Sequence, residues 1–190
     1  MKYLDTLQAF LLLNRLPHLG PKRIQKLLQV EPRLENVFKL SNKSLKALGL
    51  PIKAIESIQL HQESIITPDL HWLEADNHHV VTYLDDTYPA LLKEISNPPP
   101  LLYAKGNLNY LTHTKLSIIG TRSPSVGGHK VAYEWASMLS KQGLTIVSGL
   151  AKGIDGQVHR GALLGKGKTI AVLGAGIDCI YPKQHARLSE

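Results

Sequence analysis

The sequence predicts an α/β protein: a Rossmann-like parallel sheet with helices on both faces, preceded by a small all-helical domain. Three observations carry this. From about residue 115, short apolar strands alternate with helical segments. Each of those strands ends in a glycine-rich loop. Before residue 64, in contrast, the apolar residues recur only at helical spacing. Unbroken apolar strands separated by helices imply a parallel sheet that is covered rather than solvated.

In the first stretch Leu4, Leu7, Phe10 and Leu11 share one helical face. Pro21 suits the first turn of a second helix, where a missing N–H costs nothing, and Ile24, Leu27 and Leu28 form its apolar stripe. Ser41 is placed as an N-cap ahead of Leu45 and Leu48, and Gly49 as the stop. Pro51 then opens a helix with Ile52, Ile55 and Ile58. Leu16-Pro17-His18-Leu19-Gly20-Pro21-Lys22-Arg23 resembles a helix-hairpin-helix motif, in which a glycine-rich hairpin offers backbone N–H groups to a DNA phosphate. His18 stands where that motif has its first glycine, and a side chain there obstructs close approach. A packing or partner-binding role is therefore preferred for this segment.

The middle stretch is mixed. Pro68 begins a short amphipathic piece with Leu70, Trp72 and Leu73, and Val80, Val81 and Tyr83 read as a strand leaving through Asp85 and Asp86. Tyr88-Pro89-Ala90-Leu91-Leu92 reads as a short helix. Asn97-Pro98-Pro99-Pro100 cannot continue one, and Leu101-Leu102-Tyr103 forms a strand ending at Gly106. His78-His79 is not a metal pair: neighbours in a strand face opposite sides, and no third ligand is at hand. These divisions give domains at 1–64, 65–112 and 113–190, the middle one being an αβ connection that joins the Rossmann-like domain.

In the last stretch Leu116 to Ile119 is a strand leading into Gly120-Thr121-Arg122-Ser123-Pro124. A helix from about Gly128 to Gln142 should bury Val131, Trp135 and Leu139. Leu144 to Val147 is the next strand, ending in Ser148-Gly149-Leu150-Ala151-Lys152-Gly153-Ile154-Asp155, and the following helix carries Val158, Ala162 and Leu163. Thr169 to Leu173 gives a third strand, ending in Gly174-Ala175-Gly176-Ile177-Asp178 ahead of Tyr181-Pro182-Lys183. Ligands of open α/β sheets bind at the carboxyl edge of the strands. Small residues there expose backbone N–H groups and helix N-termini to anions. Arg122, Lys152 and Lys183 follow the three strands in turn, so parallel packing gathers three cations on one rim.

The chain carries a net charge of +7 over 190 residues. It is distributed as +5 over residues 1–64, −4 over 65–112 and +6 over 113–190. Two basic segments around an acidic one suit a nucleic-acid partner. A single cysteine, Cys179, excludes an internal disulfide framework and fits a reducing compartment. No apolar run reaches the roughly 18 residues of a membrane span, so no membrane partner is expected. The loop after the first strand lacks G-x-G-x-x-G spacing, and no acidic residue closes the second strand to hold a ribose. No Walker A pattern follows either, so no nicotinamide or nucleoside triphosphate cofactor is expected. Asp155 and His159 lie one helical turn apart; a structural role at the helix start is preferred over acid–base work.

Gly120-Thr121-Arg122, the run Ser148 to Asp155 with His159-Arg160-Gly161-Ala162, and Thr169 to Gly174 leading to Tyr181-Pro182-Lys183 together resemble the DNA-processing protein A (DprA, also called Smf) family. The likeness extends more loosely through Tyr88-Pro89-Ala90-Leu91-Leu92 and the segment from Pro98 to Gly106. The helical N-terminal part is similar to that family's sterile-alpha-motif or helix-hairpin-helix-like extension. The resemblance implies a cytoplasmic, non-catalytic protein that binds and protects incoming single-stranded DNA and loads a RecA-type recombinase in natural transformation. It also implies that Arg122 and Lys183 line the DNA pocket. To these the strand-end loops add Lys152, Gly120, Ser148, Gly149 and Gly174 as expected DNA contacts. Tyr181 is the only aromatic near the rim, so base stacking has little support.

Three strands do not complete a Rossmann-like sheet, and His185 to Glu190 reads as the opening of a further helix, so the chain is expected to be a fragment or a truncated reading frame. Homodimerisation is implied for the complete protein and is doubtful for this chain. Two other readings stay open. One is a nucleotide phosphoribohydrolase of the lysine-decarboxylase-like group, whose Pro-Gly-Gly-x-Gly-Thr signature is lacking. The other is an interaction scaffold working through the helical segment.

Overall fold

The computed structural model describes residues 4–190. Two compact units, Met1–Gly106 and Asn107–Glu190, divide the chain.

The first unit is mainly helical. It contains α1 (Thr6–Arg15), α2 (Pro21–Val30), α3 (Asn42–Ala47) and α4 (Ile52–Gln59), with 3₁₀ turns at Leu34–Lys39 and Glu63–Ile66. After α5 (Thr67–Trp72), strand β1 (His78–Thr82), α6 (Ala90–Lys93) and strand β2 (Leu101–Lys105) complete it. Asp5 caps α1 in a capping box with Gln8, and Ser41 caps α3. Ala9 to Leu13 are all buried, because α1 is surrounded by the other helices rather than lying on the surface. Ile66 and Leu101 belong to the same core, with Val80, Tyr83 and Tyr103 packed on it. Strands β1 and β2 pair only with each other, antiparallel, His78 opposite Lys105, so their apolar face finds its cover on the helices. The boundary between the units consequently falls after Gly106.

One polar network runs through this core. The Arg15 guanidinium grips both carboxylate oxygens of buried Asp69, Nη2 at 2.7 Å from Oδ1, and the Tyr103 hydroxyl donates to Oδ1 at 2.8 Å. The carboxylate raises the Arg15 pKa, and burial with the Asp69 bond raises that of Tyr103. His78 is stacked on Trp72 and hydrogen-bonded to its carbonyl. Among the described residues no group of three His, Cys, Asp or Glu is placed to hold a metal.

The second unit is α/β. Strands β3 (Lys115–Ser117), β4 (Thr145–Ser148) and β5 (Thr169–Ala171) form a parallel sheet in that order, with Leu116 opposite Ile146 and Ile146 opposite Thr169. Helices α7 (Val126–Lys141) and α8 (Ile154–Leu164) make the crossovers. The two helices pack directly on each other and on β4. The 3₁₀ turns Leu108–Leu111 and Lys183–Leu188 flank the sheet in sequence. Among the described residues no helix is long and apolar enough to cross a membrane.

The buried stripe of α7 corrects the sequence expectation. Val131 is 49% and Trp135 61% exposed, whereas Ala132, Ala136, Ser137 and Ser140 are buried. The reason is close helix approach. A Cβ on Gly161 of α8 would collide with the Tyr133 carbonyl, and one on Gly165 would meet the Ser140 side chain. Only small residues fit such a crossing, so the large apolar residues are turned outward. Leu163 and Ile52, also expected inside, are exposed as well.

Candidate nucleic-acid interface

The carboxyl edge of the parallel sheet is held together by backbone contacts between its loops. Gly153, the N-cap of α8, has φ +81° and ψ −126°, a conformation that side chains resist. A Cβ there would run into the Thr121 carbonyl and lie 2.7–2.8 Å from the Arg122 backbone. The Ile154 N–H donates to that same Thr121 carbonyl at 3.1 Å. Gly120 is equally constrained, since a Cβ would lie 2.7 Å from Ile154 Cγ1. The loop after β3 is thus pressed on the first turn of α8, which sets Arg122 beside the loop that carries Lys152.

Other polar groups fix the loop after β4. Ser148 is buried and donates its hydroxyl to the Ile118 carbonyl at 2.7 Å, tying the ends of β3 and β4. Asp155 Oδ2 accepts the N–H groups of Gly149 (3.1 Å) and Ala151 (3.4 Å). A Cβ on Gly149 would lie 2.8 Å from that oxygen, so glycine is needed for the carboxylate to reach the backbone. Leu150, buried at φ +56°, points its carbonyl at His185, whose Nδ1 donates at 2.9 Å. His185 belongs to the 3₁₀ turn that Lys183 opens, so the Tyr-Pro-Lys segment is pinned to the same loop. The Tyr181–Pro182 peptide is cis, with Tyr181 exposed and Pro182 buried.

Arg122, Lys152 and Lys183 are all exposed, and none of them joins the ion pairs seen among the described residues, such as Arg15–Asp69 and Lys130–Glu134. The three loops that bear them are linked through Thr121–Ile154 and Leu150–His185. The N-termini of α7 and α8 open on this edge. Ser125 caps α7 by accepting from Gly128, and α8 has no side-chain cap. Gly174 stands apart from the other expected contacts: nothing lies within 4 Å of where its Cβ would be.

Asp155 and His159 do not face each other as acid and base. The Asp155 carboxylate holds loop amides, while His159 Nδ1 lies 2.7 Å from Thr169 Oγ1. That hydroxyl gives its one proton to the Ile146 carbonyl, so the imidazole donates and its Nε2 lone pair is left buried without a partner. Burial pushes the His159 pKa down to about 4, and neighbouring His185 adds to the effect against the pull of Asp155.

The family profile of DNA recombination-mediator protein A matches residues 79–190, which include this whole edge. The chain belongs to that family. It is 39% identical over 179 residues to Protein Smf of Synechocystis, which covers 90% of this chain and 44% of the relative. To Protein Smf of Escherichia coli K12 it is 36% identical over 145 residues, 76% of this chain and 39% of the relative. DNA processing protein A of Streptococcus pneumoniae superimposes with a TM-score of 0.77 at 32% identity, covering all of this chain and 64% of that one. DNA processing protein A of Helicobacter pylori, described with a single-stranded DNA binding mode, matches 58% of this chain and 49% of its own at a TM-score of 0.50 and 29% identity. The chain spans about two-fifths of the length of the curated Smf relatives it matches.

Sequence reasoning named the cations and glycines of this edge but missed His185. Its signal was only its position two residues after Lys183; its burial depends on Leu150, 35 residues earlier.

Proposed function

We propose that this chain binds the phosphate backbone of single-stranded DNA along the edge carrying Arg122, Lys152 and Lys183, with N–H groups of the Gly120 loop and the α8 N-terminus as further donors, the Gly149 and Ala151 amides being held by Asp155. The observation that carries the reading is the glycine seam at Gly153. It brings two cation-bearing loops together at backbone contact and leaves their charges exposed. An arginine offers phosphate a bidentate fork and lysines offer point charges. The Helicobacter pylori relative, described with a single-stranded DNA binding mode, supports the choice of ligand. Ser148 and Asp155 serve the rim as struts, since their polar atoms are spent on Ile118, Gly149 and Ala151.

In this reading the role is non-catalytic, and the one acid–base pair the sequence offered supports it: Asp155 and His159 each serve a structural partner instead of facing one another. The complete protein acts in the cytoplasm in DNA processing during natural transformation, as a homodimer that hands single-stranded DNA to a RecA-type recombinase. Affinity for a fluorescent oligothymidylate across a salt series tests the rim. Arg122→Ala, Lys152→Ala and Lys183→Ala should each make the log–log salt slope shallower by about 0.7. An unchanged slope in all three variants refutes the site.

A further inference from the structure

His185 is 2% exposed and His159 1% exposed, an unusual depth for two imidazoles beside a rim of cations. The His185 ring lies on the bare backbone of Gly156, where a Cβ would be 2.6 Å from its Cε1 and 2.8 Å from its Nε2. Its Nδ1 is committed to the Leu150 carbonyl, which can only accept, so Nδ1 is the donor. Resting on the DNA-rim reading above, we propose that His185 is the positioning residue for Lys183: seated between the Leu150 carbonyl and Gly156, it fixes the lysine-bearing turn against the loop after β4.

The seat is filled from both sides. On α8, the Arg160 guanidinium comes within 3.2 Å of the same Gly156 Cβ position, so the bare backbone there is what lets the ring and the guanidinium close in. Removing the ring takes away the bond to the Leu150 carbonyl and leaves the 3₁₀ turn, and Lys183 with it, free to move from the rim.

The test is the salt slope for oligothymidylate with the whole chain. Circular dichroism confirms the fold of each variant. His185→Ala should make the slope shallower by about 0.7. Lys183→Ala should then add nothing in that background, while Arg122→Ala keeps its full effect. His185→Asn, whose amide N–H can serve the Leu150 carbonyl, should restore the wild-type slope. Additive effects of His185→Ala and Lys183→Ala overturn the inference. Should His185→Ala fail to fold, the asparagine variant decides, and a slope shallower than wild type by about 0.7 overturns it. An unchanged slope for Arg122→Ala and Lys183→Ala in the wild-type background sinks the DNA-rim reading instead.

Discussion

Alanine at Gly153 is the substitution that most directly loads the seam of the rim. The residue holds φ +81° and ψ −126°, close to the mirror image of an extended strand, and no L side chain adopts that region without strain. Such positions cost of the order of 1–3 kcal/mol when glycine is replaced. The new methyl also strikes the Thr121 carbonyl and the Arg122 backbone, which have no flexible end to swing aside. If the loops part, the Ile154 N–H loses Thr121 as its acceptor, worth about 1 kcal/mol. Together these come to about 3 kcal/mol, a large share of the ~5–15 kcal/mol that holds a typical domain. In urea unfolding followed by circular dichroism, with a slope of ~2 kcal/mol per molar, the midpoint should fall by about 1–2 M. Gly174→Ala is the control. It meets open space at a φ outside the left-handed region, so its effect should stay within ~0.5 kcal/mol. A Gly153→Ala midpoint equal to that of wild type, or a Gly174→Ala loss of the same size, refutes the claim that the seam depends on a bare backbone.

Gly161→Ala drives a methyl into the Tyr133 carbonyl at the α7–α8 crossing and should cost about 1–3 kcal/mol, read as a lowered thermal midpoint. Asp155→Ala strips the acceptor from the Gly149 and Ala151 amides and should cost about 2 kcal/mol, with faster hydrogen exchange at those two residues. Because the native pKa of His159 lies below that of the unfolded chain, the unfolded state takes up more protons as the pH falls. Stability is therefore full above about pH 6.5, declines towards pH 4 and loses up to about 3 kcal/mol from this residue. Urea midpoints at the two ends of that window should differ in wild type, and by less in His159→Gln. In the first unit, Arg15→Ala leaves buried Asp69 with Tyr103 alone and should cost about 2–4 kcal/mol in urea unfolding.

Much of the second unit was legible in the sequence because its signals are local. A run such as Leu144 to Val147 is short, largely apolar and soon followed by Gly149, and the strand found at Thr145–Ser148 lies within one residue of it. The three cations of the edge were legible for the same reason, since strand ends fix where they emerge. The buried face of α7 was not. Hydrophobicity marks Val131 and Trp135, whereas the crossing selects Ala132 and Ala136 by size, and size matters only once Gly161 is known to lie opposite. The roles of Ser148 and His185 were hidden likewise, because their partners Ile118 and Leu150 lie 30 and 35 residues away. At the hairpin, His18 does take the left-handed φ of +63° that glycine would favour, and Arg23 ties down its carbonyl. The turn is therefore kept even though the residue differs from the motif.

Amide chemical-shift mapping with an oligothymidylate titrated into the labelled chain tests the central claim most directly. Single-stranded DNA bound at the sheet edge should shift the amides of Gly120 to Ser123, Gly149 to Ile154 and Tyr181 to His185 together, with one affinity, and spare the hairpin from His18 to Arg23. Shifts confined to that hairpin, or spread over the surface without following the three strand-end loops, would contradict the account.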